Sequence, residues 1–306
     1  EYQLGMDPES ITSNYFQKKV YPYLLTLILI ICGISIVHNF FIAVSFIWAR
    51  SSMTKTAYIS FFLAAADGFS SFNLGFSLVA SSLIPFVFEI KAFENHCINL
   101  LIELTRLGGI PIPVGHILLI GIAHWFGIVK PLERDRIVTK GRVKAFLICC
   151  WILPMAFVLM WFSTISGQGF RSDGCTDYTF MESLPWRTAY SALYLCPFMT
   201  IVFIYAKIFI IANKSKQQNP NAGHENEFNF KAATTSGKII GSFGLGLVPL
   251  PLVFILSYAG GPLDEKRIGK TVTILIEVTI NFLVLIKSFL NPWIYSLGQL
   301  DVQVIF

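Results

Sequence analysis

The chain has 306 residues, of which 54% are hydrophobic and only 13% charged, and its formal net charge is +5. A mean hydropathy of +0.63 and a charged share well under the roughly 25% of soluble domains exclude a water-soluble enzyme or binding module. The small, scattered charge excludes a nucleic-acid-binding domain.

A window of about 19 residues finds seven apolar stretches, at 22–48, 57–84, 98–129, 143–165, 187–212, 236–259 and 271–297. Each is long enough to cross a bilayer, which takes about 20 residues. The connections are short, so 1–306 is expected to be one domain, an all-α seven-transmembrane helix bundle. The leading segment 1–21 opens on the polar Glu1-Tyr2-Gln3-Leu4 and the first apolar run is span-length, so a cleavable signal peptide is not expected in it. Lys130, Arg134, Arg136, Lys140, Arg142 and Lys144 outnumber Glu133 and Asp135 between the third and fourth spans. Arg50 and Lys55, then Lys214, Lys216 and Lys231, fall on the same side. Basic loops face the cytoplasm, so the amino terminus is expected outside and the tail 298–306 inside.

Along the chain, Asn39 lies in the first span and Asp67 in the second. An amide and a carboxylate at that depth are expected to meet each other and the last helix. The third span opens near Cys97 and holds Glu103 and Arg106 one turn apart. Pro111 and Pro113 then interrupt its backbone hydrogen bonding, and it ends in Ala123-His124-Trp125 ahead of Lys130-Pro131. Trp151 lies in the fourth span and Cys175 in the loop after it. Cys97 and Cys175 share the oxidising side, where a disulfide would pin that loop over the bundle mouth. Cys32, Cys149, Cys150 and Cys196 lie within spans and read as packing residues.

The fifth span carries Tyr190, Tyr194, Pro197 and Tyr205, and the polar stretch from Asn213 to Thr235 reads as a mobile loop. The sixth carries Gly241, Phe243, Gly244, Gly246, Pro249 and Pro251, which make it flexible or kinked, with Tyr258 near its end. The last carries Glu277, Asn281, Lys287, Ser288 and Asn291-Pro292-Trp293-Ile294-Tyr295. An ammonium inside a bilayer is costly enough that function is the default reading of Lys287; the alternative is a side chain that snorkels to the interface.

Asn39, Asp67, Trp151, Pro197, Tyr205, Phe243, Pro249 and Asn291-Pro292-x-x-Tyr295 form an ordered set, with about one landmark per span. This set resembles the rhodopsin-like G protein-coupled receptors over nearly the whole chain, and several intervals, such as Asn39 to Asp67 and Pro197 to Tyr205, are similar to that family's. The resemblance implies a multi-pass plasma-membrane receptor surrounded by lipid, without enzymatic activity, cofactor or metal. Its partners would be an extracellular small-molecule ligand and a heterotrimeric G protein.

Three departures from the family are visible. Where the family carries Asp/Glu-Arg-Tyr, this chain aligns Ala123-His124-Trp125, so an ionic lock cannot form there. His124 is left to bond Tyr205 or a partner, with Trp125, Lys130, Pro131 and Arg134 beside it as G protein contacts. The tryptophan common two residues before the sixth-helix proline is Leu247. In the family the second-helix aspartate binds sodium; here Pro113 and Lys287 occupy two of the helping positions, so the Lys287 ammonium is expected where sodium would sit, paired with Asp67.

The implied ligand site lies among the outer halves of the helices: Glu103, Arg106, Tyr190, Tyr194, Tyr258, Glu277 and Asn281. Aminergic members place an aspartate near Arg106, so a cationic amine is disfavoured and the arginine suits a small acidic or lipid-like molecule, of the kind recognised by divergent invertebrate chemoreceptors. A short peptide with a free carboxylate would satisfy the same arginine. The opposing reading is that Glu103, Arg106 and Glu277 neutralise one another between helices. A retinal photoreceptor needs a seventh-helix lysine, but Lys287 stands two residues later than in opsin-like receptors. A metal hydrolase or transporter is disfavoured by five scattered histidines and the absence of paired broken helices.

Overall fold

The computed structural model describes residues 15–49, 54–90, 95–218 and 241–298. Most of the expected mobile loop and the tail from residue 299 onward therefore lie outside the described residues. The rest is helical, with no strand among the described residues. Six helices are long and apolar enough to cross a membrane, and a seventh apolar stretch, Gly241–Leu256, is shorter.

The first span is α1 (Tyr21–Ala49), entered through a π-helical turn at Phe16–Val20. The second is α2 (Lys55–Leu78), opened by Thr54, whose side chain accepts from the Ala57 N–H. It continues as a wider π-helical stretch, Val79–Val87, which holds Pro85. The third span, expected as one helix over 98–129, is two: α3 (His96–Gly109), capped by the Asn95 side chain, and α4 (Ile112–Ile128). A short α5 (Pro131–Ile137) leads to α6 (Lys140–Thr164), capped by Thr139. The fifth span, α7, runs as Leu184–Gln218, so the first residues expected in the mobile loop are helical. The sixth, α8 (Gly241–Leu256), is interrupted at Val248 just before Pro249. After the single turn α9 (Glu265–Ile268), the last span is α10 (Lys270–Gly298).

The break in the third span follows from its two prolines. Neither carries an N–H, so in a continuous helix the carbonyls four residues earlier, Leu107 and Gly109, would lose their donors. Neighbouring helices supply replacements: the Tyr190 hydroxyl donates to the Leu107 carbonyl at 2.8 Å, and the Ser70 hydroxyl to the Gly109 carbonyl at 2.8 Å. Inside a bilayer there is no water to do this, so the partners have to come from the bundle.

The third span is the centre of the bundle, with 78% of its apolar window buried. Leu104, Leu107, Val114, Ile117 and Ile120 pack against Ile59 and Leu63 of α2, Ile201 and Tyr205 of α7, and Phe243 and Leu247 of α8. Cys97 and Cys175 form a disulfide with Cα atoms 5.0 Å apart. It ties the 165–183 loop to α3, and Phe180 of that loop is buried against Phe162 and Trp186 at centroid distances of 5.2 and 5.7 Å. Gly169 turns the loop at φ +60°, where a Cβ would strike the Phe162 carbonyl, so only glycine fits.

Candidate functional site

At the disulfide end the spans enclose a cavity of about 580 Å³, lined among others by Tyr21, Ser82, Glu103, Arg106, Tyr190, Arg187, Phe254, Glu277 and Asn281. Its walls come from α1, α2, α3, α7, α8 and α10. Inside it, Arg106 Nε donates to Glu103 Oε2 at 2.8 Å and Nη2 donates to Glu103 Oε1. Glu103 therefore occupies the fork that the sequence reading assigned to an anionic ligand. An i,i+3 pair on one helix face is the local reason. Glu277 is accessible in the cavity and makes no hydrogen bond or ion pair among the described residues.

Two expected cavity residues are placed elsewhere. Tyr194 is buried beneath, with its hydroxyl 2.8 Å from that of Tyr190, which has already given its proton to Leu107. Tyr258 does not line the cavity, because α8 ends at Leu256 and Tyr258 belongs to a turn closed by the Gly261 N–H on its carbonyl at 2.7 Å. Among the lining residues that were missed are Tyr21, Ser82, Arg187 and Phe254. Tyr21 donates to Ser82 Oγ at 3.0 Å, and Arg187 donates Nε to the Met181 carbonyl and Nη1 to the Phe254 carbonyl, each at 3.0 Å, with its guanidinium carbon 4.7 Å from the Phe254 ring centre. Arg187, three residues before Tyr190 on the same helix, was the legible signal.

Midway down, Lys287 Nζ lies 2.8 Å from Asp67 Oδ1, with side chains 2% and 0% exposed. Asn291 Nδ2 donates to Asp67 Oδ2 at 2.7 Å and Ser288 Oγ to Oδ1 at 3.2 Å. The carboxylate thus receives three hydrogen bonds, the condition under which a buried ion is tolerated. Lys287 Nζ also stands 5.4 Å from the centre of the Phe243 ring, a cation–π distance, and Gly246 lies so close that a Cβ there would overlap Lys287 Cβ. One ammonium therefore touches α2 and α8 from α10. Asn39 does not bond Asp67 directly. It packs on Gly68, with a Cβ there 3.4 Å from its own, and donates to the Ser35 and Ser288 carbonyls at 2.9 and 3.2 Å. It meets the last helix through backbone, one residue aside from the expected contact.

Of the other core landmarks, Trp151 packs on Phe69 and His116, with centroids 5.1 and 6.3 Å away. Pro197 lies inside α7, and Pro249 starts the second half of α8. Pro292 and Tyr295 lie within α10, but their side chains fall outside the described residues.

At the opposite end, His124 Nδ1 is 3.2 Å from the Tyr205 hydroxyl. Trp125 packs on the core, and Lys130 pairs with Glu133 at 3.4 Å. Pro131 opens α5, and Arg134 on that helix faces Gly127, 3.7 Å from a Cβ placed there. Lys55 Nζ meets Asp135 Oδ1 at 2.6 Å, and the lysine beside it holds the Asp135 carboxyl below the usual carboxylate range. No His, Cys, Asp and Glu group fit for a metal ion occurs among the described residues.

Comparison with known proteins follows the same pattern. The family model described as "7 transmembrane receptor (rhodopsin family)" matches residues 38–295. The chain is 26% identical to the G-protein coupled receptor 183 of Rattus norvegicus over 185 residues, covering 58% of this chain and 52% of that receptor. It is 24% identical to the octopamine receptor beta-2R of Chilo suppressalis over 324 aligned positions, covering 91% of this chain and 77% of that receptor. The chain thus spans about half the length of the rat receptor it matches.

Proposed function

The chain belongs to the rhodopsin family of seven-transmembrane receptors, multi-pass plasma-membrane proteins that are not enzymes, and from that premise we propose that it binds a small extracellular ligand in the 580 Å³ cavity and signals to a heterotrimeric G protein at its other end. In this reading the amino terminus is outside and the basic loop around Lys130 to Lys144 inside.

The observation that carries the proposal is the position of Lys287. Its ammonium holds Asp67 of α2 and faces Phe243 of α8, while its own helix, α10, carries Glu277 and Asn281 in the cavity wall. A ligand that shifts α10 changes the contacts of α8 in the same movement. Such packed interfaces switch between discrete arrangements rather than deforming smoothly, and a ligand biases them by its differential affinity. At the cytoplasmic end, the hydrogen bond between His124 and Tyr205 is the contact to be released. It is worth about 0.5–1.5 kcal/mol, so the resting state is weakly held and ligand-free activity follows.

The ligand class expected from the sequence, an acidic molecule or a peptide carboxylate on Arg106, is less supported by this geometry, since it would have to displace Glu103. A retinal Schiff base is less supported too, because it needs an amine that Asp67 already holds as ammonium. The test is guanine-nucleotide exchange on a panel of heterotrimeric G proteins by receptor in nanodiscs. Ligand-free exchange above the receptor-free rate is expected, rising several-fold in Tyr205→Phe, which removes the partner of His124. Exchange no faster than without receptor across the whole panel overturns the proposal.

A further inference from the structure

The charged side chains that line the cavity do not cancel: Glu103, Glu182, Asp264, Glu265 and Glu277 stand against Arg106, Arg187 and Lys266. Arg106 has its Nε and Nη2 hydrogens on Glu103, which leaves that pair neutral as a unit. Glu277, on the opposing wall, has no partner within hydrogen-bond or ion-pair distance among the described residues. Glu103, Arg106 and Glu277 together carry a net charge of −1, and in the rest of the lining Glu182, Asp264 and Glu265 outnumber Arg187 and Lys266. Arg187 gives its Nε and Nη1 hydrogens to the Met181 and Phe254 carbonyls.

We propose that the ligand of this cavity carries a positive charge, an organic ammonium or guanidinium, and that Glu277 is its counter-ion. The inference rests on the receptor reading for the word ligand, but its argument is the charge balance. An anion entering the site would raise its net charge to −2, or would take Arg106 and leave the half-buried Glu103 without a partner, which is costly. A cation brings it to zero and finds an accessible carboxylate with no hydrogen bond or ion pair among the described residues. The aromatic faces of Tyr21, Tyr190 and Phe254 in the same lining suit a cation, which is attracted to ring faces, and a cavity of this size takes a small molecule. The Glu103–Arg106 pair then acts as a neutral wall that fixes orientation through its outward hydrogen-bonding edge.

The test measures the cavity directly and needs no identified ligand. Asn281, one turn beyond Glu277 on α10 and also in the lining, is replaced in Asn281→Cys, in a background with the exposed Cys149 and Cys196 changed to serine. The reconstituted receptor reacts with a cationic trimethylammonium-ethyl methanethiosulfonate or its anionic sulfonatoethyl counterpart, and the ratio of rates is normalised to a free thiol. Focused negative potential raises local cation concentration about tenfold or more, so a normalised ratio of at least about ten is expected. Glu277→Gln should remove most of it and Glu277→Asp should keep it. A ratio at or below that of the free thiol, a ratio unchanged in Glu277→Gln, or no reaction with either reagent overturns the proposal. Ligand-free nucleotide exchange on the same preparations separates the two readings: its failure with the cation preference intact counts against G protein coupling and leaves the site.

Discussion

Replacing Lys287 by methionine removes a charge while keeping most of the side chain's volume. At 2.8 Å the attraction between the two ions is about 6 kcal/mol at an effective dielectric of about 20, against a desolvation cost of several kcal/mol for each ion. Removing one partner leaves Asp67 charged at 0% exposure, which costs about 3–5 kcal/mol. Ser288 and Asn291 still donate to it, which places the loss at the lower end, about 3 kcal/mol. Two measurements on detergent-solubilised receptor check this. Lys287→Met should melt well below wild type, and the double variant Asp67→Asn/Lys287→Met should recover most of the loss, because a buried pair replaced as a unit is close to neutral. Exchanging choline for sodium should raise the melting temperature of Lys287→Met, whose vacated site faces a free carboxylate, and leave wild type unchanged. If Lys287→Met melts with wild type and ignores sodium, the ammonium is not stabilising Asp67 and the switch argued from it fails.

Three further outcomes are expected. Ser70→Ala and Tyr190→Phe each leave a buried carbonyl of α3 without its donor and should each cost about 1–3 kcal/mol, read as lost thermal stability; unchanged melting in both would show that the proline break needs no support. Gly246→Ala places a methyl on Lys287 and should cost about 1–3 kcal/mol by overpacking, whereas Gly241→Ala, with open space around it, should be neutral or mildly stabilising. The Asp135 carboxyl has a lowered pKa beside Lys55, so its contribution is present above the usual carboxylate range and is lost as pH falls through the lowered value. Protection of the 131–137 amides, taken relative to the intrinsic exchange rate at each pH, should therefore be higher at neutral pH than below the lowered value, and Asp135→Asn should remove that difference.

The spans and their polar landmarks were legible because bilayer physics leaves few alternatives. An ion at the depth of Lys287 needs a partner, and Asp67 is a carboxylate at matching depth on another span. Pro111 and Pro113 pointed to a bulge or kink for the same reason, since missing donors do not depend on tertiary context, although the span was read as one helix and is two. The identity of the replacement donors, Ser70 and Tyr190, did depend on it. Legibility failed where one group had more than one plausible partner. Arg106 faced Glu103 on its own helix, Glu277 across the bundle, or a ligand, and only the fold shows that Glu103 takes its Nε and Nη2. Tyr194 has the right spacing to share a face with Tyr190, yet the hydroxyl of Tyr190 turns toward Leu107 and draws Tyr194 inward. Asn39 misses Asp67 by one residue, because Gly68 offers it a flat surface to pack on.

Two spans contain paired prolines, and their surroundings differ. The crease in the third is stitched on both sides, to α7 by Tyr190 and to α2 by Ser70. In the sixth, Pro249 and Pro251 free the carbonyls of Leu245 and Leu247, and among the described residues no side chain of a neighbouring helix donates to either; Ser191 reaches only the Pro251 carbonyl, beyond the crease. A strut sewn at its bend carries load without yielding, while an unsewn one folds there first. The third span is thus the braced one of the two, and α8 the one whose bend has no side-chain brace from a neighbouring helix among the described residues.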